Sequence, residues 1–101
     1  MAGTYHGQGR FDEAEKLQLD VLKKRRKLLG AKHPNTISAA ANLAVTYGHQ
    51  GRFDEAEKLQ LDVLEKRRKI LGTEHLDTIR AAANLAATYH DQGRLDEAEE
   101  P

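Results

Sequence analysis

Three sets of side chains in this 101-residue sequence are of the types that do chemistry, and each is tested by its spacing. Five histidines, His6, His33, His49, His75 and His90, could bind a metal if three or more ligands converged. Helical zinc sites place ligands one turn apart, and no HxxxH or HExxH spacing occurs. His33 and His75 lie 42 residues apart in matching segments, too far to share an ion, and His33 precedes Pro34. Both read as residues that hold a connector, with the proline at an early helical position. Asp12, Glu13 and Glu15 could supply paired carboxylates for general acid–base work, but they recur as Asp54, Glu55 and Glu57. A catalytic site is normally one convergent constellation, so a copied carboxylate set reads as structural charge. The run Lys23-Lys24-Arg25-Arg26-Lys27 resembles a polyanion patch, yet its copy begins with Glu65 and both follow an apolar stripe. Cations at a helix C-terminus complement its dipole, which accounts for the run without a nucleic acid. The sequence therefore predicts no enzyme activity, no metal and no cofactor.

What positions these groups is an internal repeat. Residues 7–30 return at 49–72, and 36–47 return at 78–89. At an offset of 42, 42 of the 59 overlapping pairs are identical, which identifies a repeat array of about two and a half units. We read residues 1–101 as a single array: a partial unit over 1–30, a full unit over about 31–72 and a partial unit over 73–101.

Each unit reads as two helices. In the first, from Pro34 or Thr36 to His49, Ile37, Ala40, Ala41, Leu43, Ala44 and Tyr47 recur at helical spacing, and Gly51 supplies a left-handed stop. In the second, 53–71, Phe53, Ala56, Leu59, Val63, Leu64, Ile70 and Leu71 form an apolar stripe that Gly72 ends. Short turns make neighbours antiparallel. The expected helical pieces are 4–8, 11–29, 36–49, 53–71, 78–91 and 95–101, all-α throughout.

The pattern Asn42-Leu43-Ala44, Tyr47, Gln50-Gly51, Phe53 and Asp54-Glu55-Ala56 resembles the tetratricopeptide repeat, and it recurs at Asn84-Leu85-Ala86, Tyr89, Gln92-Gly93, Leu95 and Asp96-Glu97-Ala98. Two departures from the usual 34-residue unit, Ala40 or Ala82 in place of a large aromatic and a second helix about two turns longer, resemble the kinesin-light-chain type. The connector Gly30-x-x-His33-Pro34-x-Thr36 is similar to that type as well. The resemblance covers essentially the whole chain. It implies an α-solenoid, a right-handed superhelix of antiparallel helix pairs whose first helices line a concave groove for peptides or partner proteins.

Comparing the copies gives a reading of that groove from the residues alone. The first helices differ at Ser38/Arg80, Val45/Ala87, Gly48/His90 and His49/Asp91. At about 100° per residue these positions share one face with Ala41 and Asn42, and with Ala83 and Asn84. The face carrying Ala40, Leu43, Ala44 and Tyr47 is the same in both copies. The fixed face is expected to pack, and the varied face to meet a partner. The candidate groove residues are Ser38, Ala41, Asn42, Val45, His49, Arg80, Ala83, Asn84, Ala87, His90 and Asp91. Small Ala41, Ala83 and Ala87 would leave room for a partner's backbone, and the two asparagines could bond to it, or could equally satisfy a neighbouring backbone group.

Composition bounds the remaining classes. Sixteen basic and 16 acidic residues give zero formal net charge, which argues against nucleic acid or an anionic membrane as partner. There is no cysteine, hence no disulfide, thiolate site or thiol nucleophile, and no run of 18 apolar residues. We expect a soluble, cytoplasmic protein–protein interaction scaffold that binds a peptide or extended segment. The competing expectation is a self-assembling solenoid, a homo-oligomer joined through exposed repeat ends, because near-identical units make every interface equivalent.

Overall fold

The computed structural model describes residues 2–93, with side chains from Arg10 onward; the expected helical piece at 95–101 lies outside it. Four helices follow in order: α1 (Ala2–Leu29), α2 (Pro34–His49), α3 (Phe53–Leu71) and α4 (Leu76–Asp91). Each packs on its sequence neighbour, α1 on α2, α2 on α3 and α3 on α4. Gly51 turns the chain between α2 and α3 at φ +80°, and Gly72 ends α3 at φ +93°, conformations that a side chain disfavours. One expectation is overturned. Residues 4–8 and 11–29 are not two pieces, because α1 runs unbroken through Gly7-Gln8-Gly9-Arg10.

The equivalent turn, Gln50-Gly51-Arg52, is held in place by side chains that reach another helix. The Gln50 carboxamide Nε2 reaches back to α1, donating toward Phe11 O at 3.4 Å, Asp12 Oδ1 at 3.0 Å and Glu15 Oε1 at 3.0 Å. Arg52 donates to Glu15 Oε1 at 2.7 Å and grips Glu55 with Nε at 2.6 Å and Nη2 at 2.9 Å. Its guanidinium lies 4.4 Å over the Tyr47 ring. Gln92 repeats the latch on Asp54 at 2.9 Å and Glu57 at 3.1 Å. The acceptors always belong to the second helix of the preceding unit. Residues 8–10 carry the same Gln-Gly-Arg, and there the i→i−4 bonds continue as one helix.

Comparing burial between copies assigns every face. Thr36, Ala39, Leu43 and Thr46 of α2 are buried, and so are Thr78, Ala81, Leu85 and Thr88 of α4. What α2 and α4 share is a preceding second helix, so this face packs against it. Ile37, Ala40, Ala44 and Tyr47 are buried on α2, whereas Ile79 and Ala82 are exposed and Ala86 and Tyr89 half-buried on α4. That face packs on the following second helix, α3. The apolar stripe expected on the second helix is thus only partly core: Ala56, Val63 and Leu64 are buried, Phe53 and Leu59 are half-buried, and Ile70 and Leu71 are exposed.

Two polar devices repeat within this packing. The Thr46 hydroxyl donates to Gln18 Oε1, and Thr88 to Gln60 Oε1, each at 2.6 Å across a helix interface. At the connectors, His33 Nδ1 accepts from Asn35 N and His75 Nδ1 from Asp77 N, both at 3.0 Å. Each imidazole is therefore the N-cap of the following first helix, satisfying one of its free N–H groups. The two histidines hold connectors, as their place beside Pro34 suggests.

Two stability outcomes follow from these contacts. Thr88→Val strands the buried Gln60 carbonyl and should cost about 1–3 kcal/mol in urea unfolding. Thr46→Val should cost less, because Gln18 is only half-buried and water can replace the bond. Equal losses would show that burial of the pair is immaterial. His75→Ala should remove about 1 kcal/mol and His75→Asp should restore it, since aspartate is itself a good N-cap. A neutral alanine variant would reject the capping role.

Candidate functional site

The concave space is bounded by the two first helices, α2 and α4, over a floor supplied by α3. It is a recess of about 290 Å³ lined by Ser38, Ala41, Asn42 and Val45 of α2, Gln60, Val63 and Arg67 of α3, and Asp77, Arg80, Ala81 and Asn84 of α4. One first helix therefore presents two adjacent edges: 38, 41, 42 and 45 toward the next unit, and 77, 80, 81 and 84 toward the previous one.

Six of the eleven candidate groove residues come together here: Ser38, Ala41, Asn42, Val45, Arg80 and Asn84. The other five do not line it. Ala83 and Ala87 are exposed on the α4 edge that would face a third first helix, and no such helix exists among the described residues. His90 is exposed near the end of α4. Asp91 borders a separate shallow recess with Gly51, Arg52, Phe53, Asp54, Glu55 and Gln92. His49 stacks on Phe11 with ring centroids 4.9 Å apart and planes 9° from parallel, so it belongs to the contact between α1 and α2.

Gln60, Val63, Arg67, Asp77 and Ala81 were not foreseen. Gln60, Val63 and Arg67 are identical to Gln18, Val21 and Arg25 one unit earlier, so a comparison of differences passes over them. The signal that could have found them is helical phase: 60, 63 and 67 fall on one line of the second helix.

The electrostatics of the recess centre on one carboxylate shared by two guanidiniums. Asp77 lies 3.4 Å from Arg67 Nη1 and 4.0 Å from Arg80 Nη1, both long for an ion pair. Arg67 is largely covered, and its buried Nε has no hydrogen-bond partner among the described residues. The carboxamides of Asn42 and Asn84 likewise make no hydrogen bond to another described residue, which leaves their donors and acceptors to solvent or a ligand. The strongest electrostatic perturbations lie outside the groove, at the latch. The Glu55 carboxyl is held below its ordinary range by its hydrogen bond to Arg52. Burial, and then the Glu15 charge, pushes the Tyr47 phenol up. The Arg52–Glu55 contribution is present at neutral pH and is lost as pH falls through the lowered Glu55 value.

Among the described residues no group of three His, Cys, Asp or Glu side chains could hold a metal ion, and no helix is long and apolar enough to cross a membrane.

The tetratricopeptide-repeat family pattern matches residues 1–69 and again 38–101, which together span the chain. Among solved structures, the nearly identical repeats of a Podosopora anserina protein described as a kinesin light chain are 30% identical over 96% of this chain, with a TM-score of 0.80. A variant of the same protein is 30% identical over 97% of the chain, with a TM-score of 0.78. BtubC of P. vanneervenii shares the fold at 22% identity over 89% of the chain, with a TM-score of 0.83. The chain spans 46% of the two Podosopora chains and 35% of the BtubC chain. No curated protein sequence matches it. Repeats of this type generally mediate protein–protein interaction or self-assembly, and their fold is typically a non-catalytic scaffold. The chain belongs to the tetratricopeptide repeat family and is of the kinesin-light-chain type.

Proposed function

We propose that the groove between α2 and α4 receives an extended segment of a partner protein, which makes the chain an interaction scaffold. The observation that carries this reading is the convergence, on one open recess, of the face that varies between copies: Ser38 and Val45 from α2, and Arg80 from α4. Packing constrains Leu43 and Ala44, each 1% exposed, to remain the same in every unit, whereas the groove edge is released to match a ligand. Asn42 and Asn84 stand on opposite walls with uncommitted carboxamides. Such groups can pair with the N–H and C=O groups of an extended backbone, which has no internal partners for them. Ala41 and Ala81 keep the walls low enough for a main chain to approach.

The test is selection of a displayed random peptide library against the chain, followed by affinity measurement with two groove variants. Asn84→Arg and Val45→Trp change positions that are exposed in the structure, so both should stay within about 0.5 kcal/mol of the parent in stability. Each should weaken the selected peptides at least tenfold, while Lys69→Ala on the outer side of α3 should leave them unchanged. Unaltered binding by both groove variants, or the selection of no peptide at all, would reject the groove.

A further inference from the structure

Zero net charge conceals a division between the two edges of the array. Consecutive helices run antiparallel, so the connectors at 30–33 and 72–75 share one edge with the C-termini of α1 and α3. The glycine turns at 50–52 and 92–93 lie on the opposite edge. Residues 20–35 and 62–80, toward the connector edge, hold 11 basic and 5 acidic side chains. The described residues toward the turn edge, 10–19, 48–58 and 91–93, hold 4 basic and 7 acidic ones.

The two edges also use their charges differently. On the turn edge, Gln50, Arg52 and Gln92 engage Asp12, Glu15, Asp54, Glu55 and Glu57 in the latches. On the connector edge, Lys24, Lys66 and Lys69 pair with Asp20, Asp62 and Glu65, and Arg67 and Arg80 share Asp77. Arg25 donates to Asn35 O at 2.9 Å. Lys23, Arg26, Lys27, Lys32 and Arg68 remain, all exposed and without a carboxylate partner among the described residues. Lys23, Arg26 and Lys27 share one face of α1 at i, i+3 and i+4. Arg26 lines a crevice with Lys66, which carries the basic surface from α1 across to α3. Attraction to the helix dipole accounts for Arg26, Lys27 and Arg68 in last turns. It does not account for Lys32, which lies beyond α1 in the connector.

Exposed aliphatic side chains accompany these cations. Leu29 is 44% exposed, Ile70 46% and Leu71 37%, each at the end of a second helix. Because α3 has a first helix packed on either side, the exposure of Ile70 and Leu71 belongs to a fully flanked helix. On the turn edge, by contrast, Phe11 and Phe53 are half-buried. We propose that the connector edge docks on a bilayer surface that contains anionic lipid. The five unpaired cations meet the headgroup charge, and Leu29, Ile70 and Leu71 enter the interface beside them. A nucleic acid would use the cations but gain nothing from the aliphatic side chains. The described phenyl and phenol rings, of Phe11, Tyr47, Phe53 and Tyr89, all lie toward the turn edge, away from where bases would stack.

Vesicle flotation with the 101-residue chain tests this. The chain should float with phosphatidylcholine vesicles carrying about 30% phosphatidylserine, the charge that attracts basic segments, and not with phosphatidylcholine alone. Arg26→Gln with Lys27→Gln should weaken binding about 25-fold, at about fivefold for each cation. Lys16→Gln with Lys58→Gln makes the same charge change on the turn edge and should leave binding unaltered. Ile70→Ser should weaken it about fivefold through lost apolar insertion. If the first variant loses helical circular dichroism, Lys23→Gln with Lys32→Gln replaces it on the same edge. Failure of the parent to float with the anionic vesicles would overturn the proposal, as would equal weakening by the turn-edge variant, which would reduce the effect to net charge. Unchanged vesicle binding by Ile70→Ser, together with equally tight binding to a DNA duplex, would reassign the edge to polyanions in general.

Discussion

The structure depends on one carboxamide. Gln50 sits where the chain must leave a helix, and its side chain fastens that turn to a carbonyl and two carboxylates partway along α1, with Arg52 doubling the attachment through Glu15. A turn of two or three residues has little intrinsic stability, and each helical hydrogen bond forgone there must be matched by something else. The match is supplied by the previous unit. The local sequence makes a bend available at 50–52, and contacts with the previous unit hold it there. Residues 8–10 are the same Gln-Gly-Arg as 50–52 and pass straight through as helix.

The same dependence on neighbours shapes the groove. Each first helix must bury two faces at once, Thr36, Ala39 and Leu43 against the helix before it and Ile37, Ala40 and Ala44 against the helix after it. Those demands use most of the circumference and force small residues where backbones approach. What remains is a narrow strip bearing Ser38, Ala41, Asn42 and Val45, and the concave surface is built from such strips. Its location is therefore a by-product of packing. Only its chemistry, an arginine in one copy where serine stands in the other, is open to selection for a ligand.

This explains which parts were legible beforehand. The 42-residue period, the helix pairs from α2 onward and the packing face of α2 are all expressed as periodic apolar residues and glycine stops, which sequence records directly. The groove walls were legible because packing leaves them free to differ. Its floor, Gln60, Val63 and Arg67, was not, because those residues also serve the interface with the helices on either side and so remain the same in both units. His49 misled for the opposite reason. It differs from Asp91 on the face that varies, yet the structure uses it to stack on Phe11, where the next unit would offer Asp91 to Phe53. Variation between copies thus marks freedom from the shared core, and a position can be free of that core while committed to a contact of its own.

Near-identity of the units has a final consequence for energetics. Leu22 and Leu64 are both buried, and Gln18 and Gln60 accept the same threonine hydroxyl at successive interfaces. Each interface is therefore built from the same residues, and stability accrues as a repeated nearest-neighbour increment and not from one central core. A substitution in the shared set acts on every interface that uses it, which holds those positions alike, and the positions where these units differ most lie on the groove and the connectors.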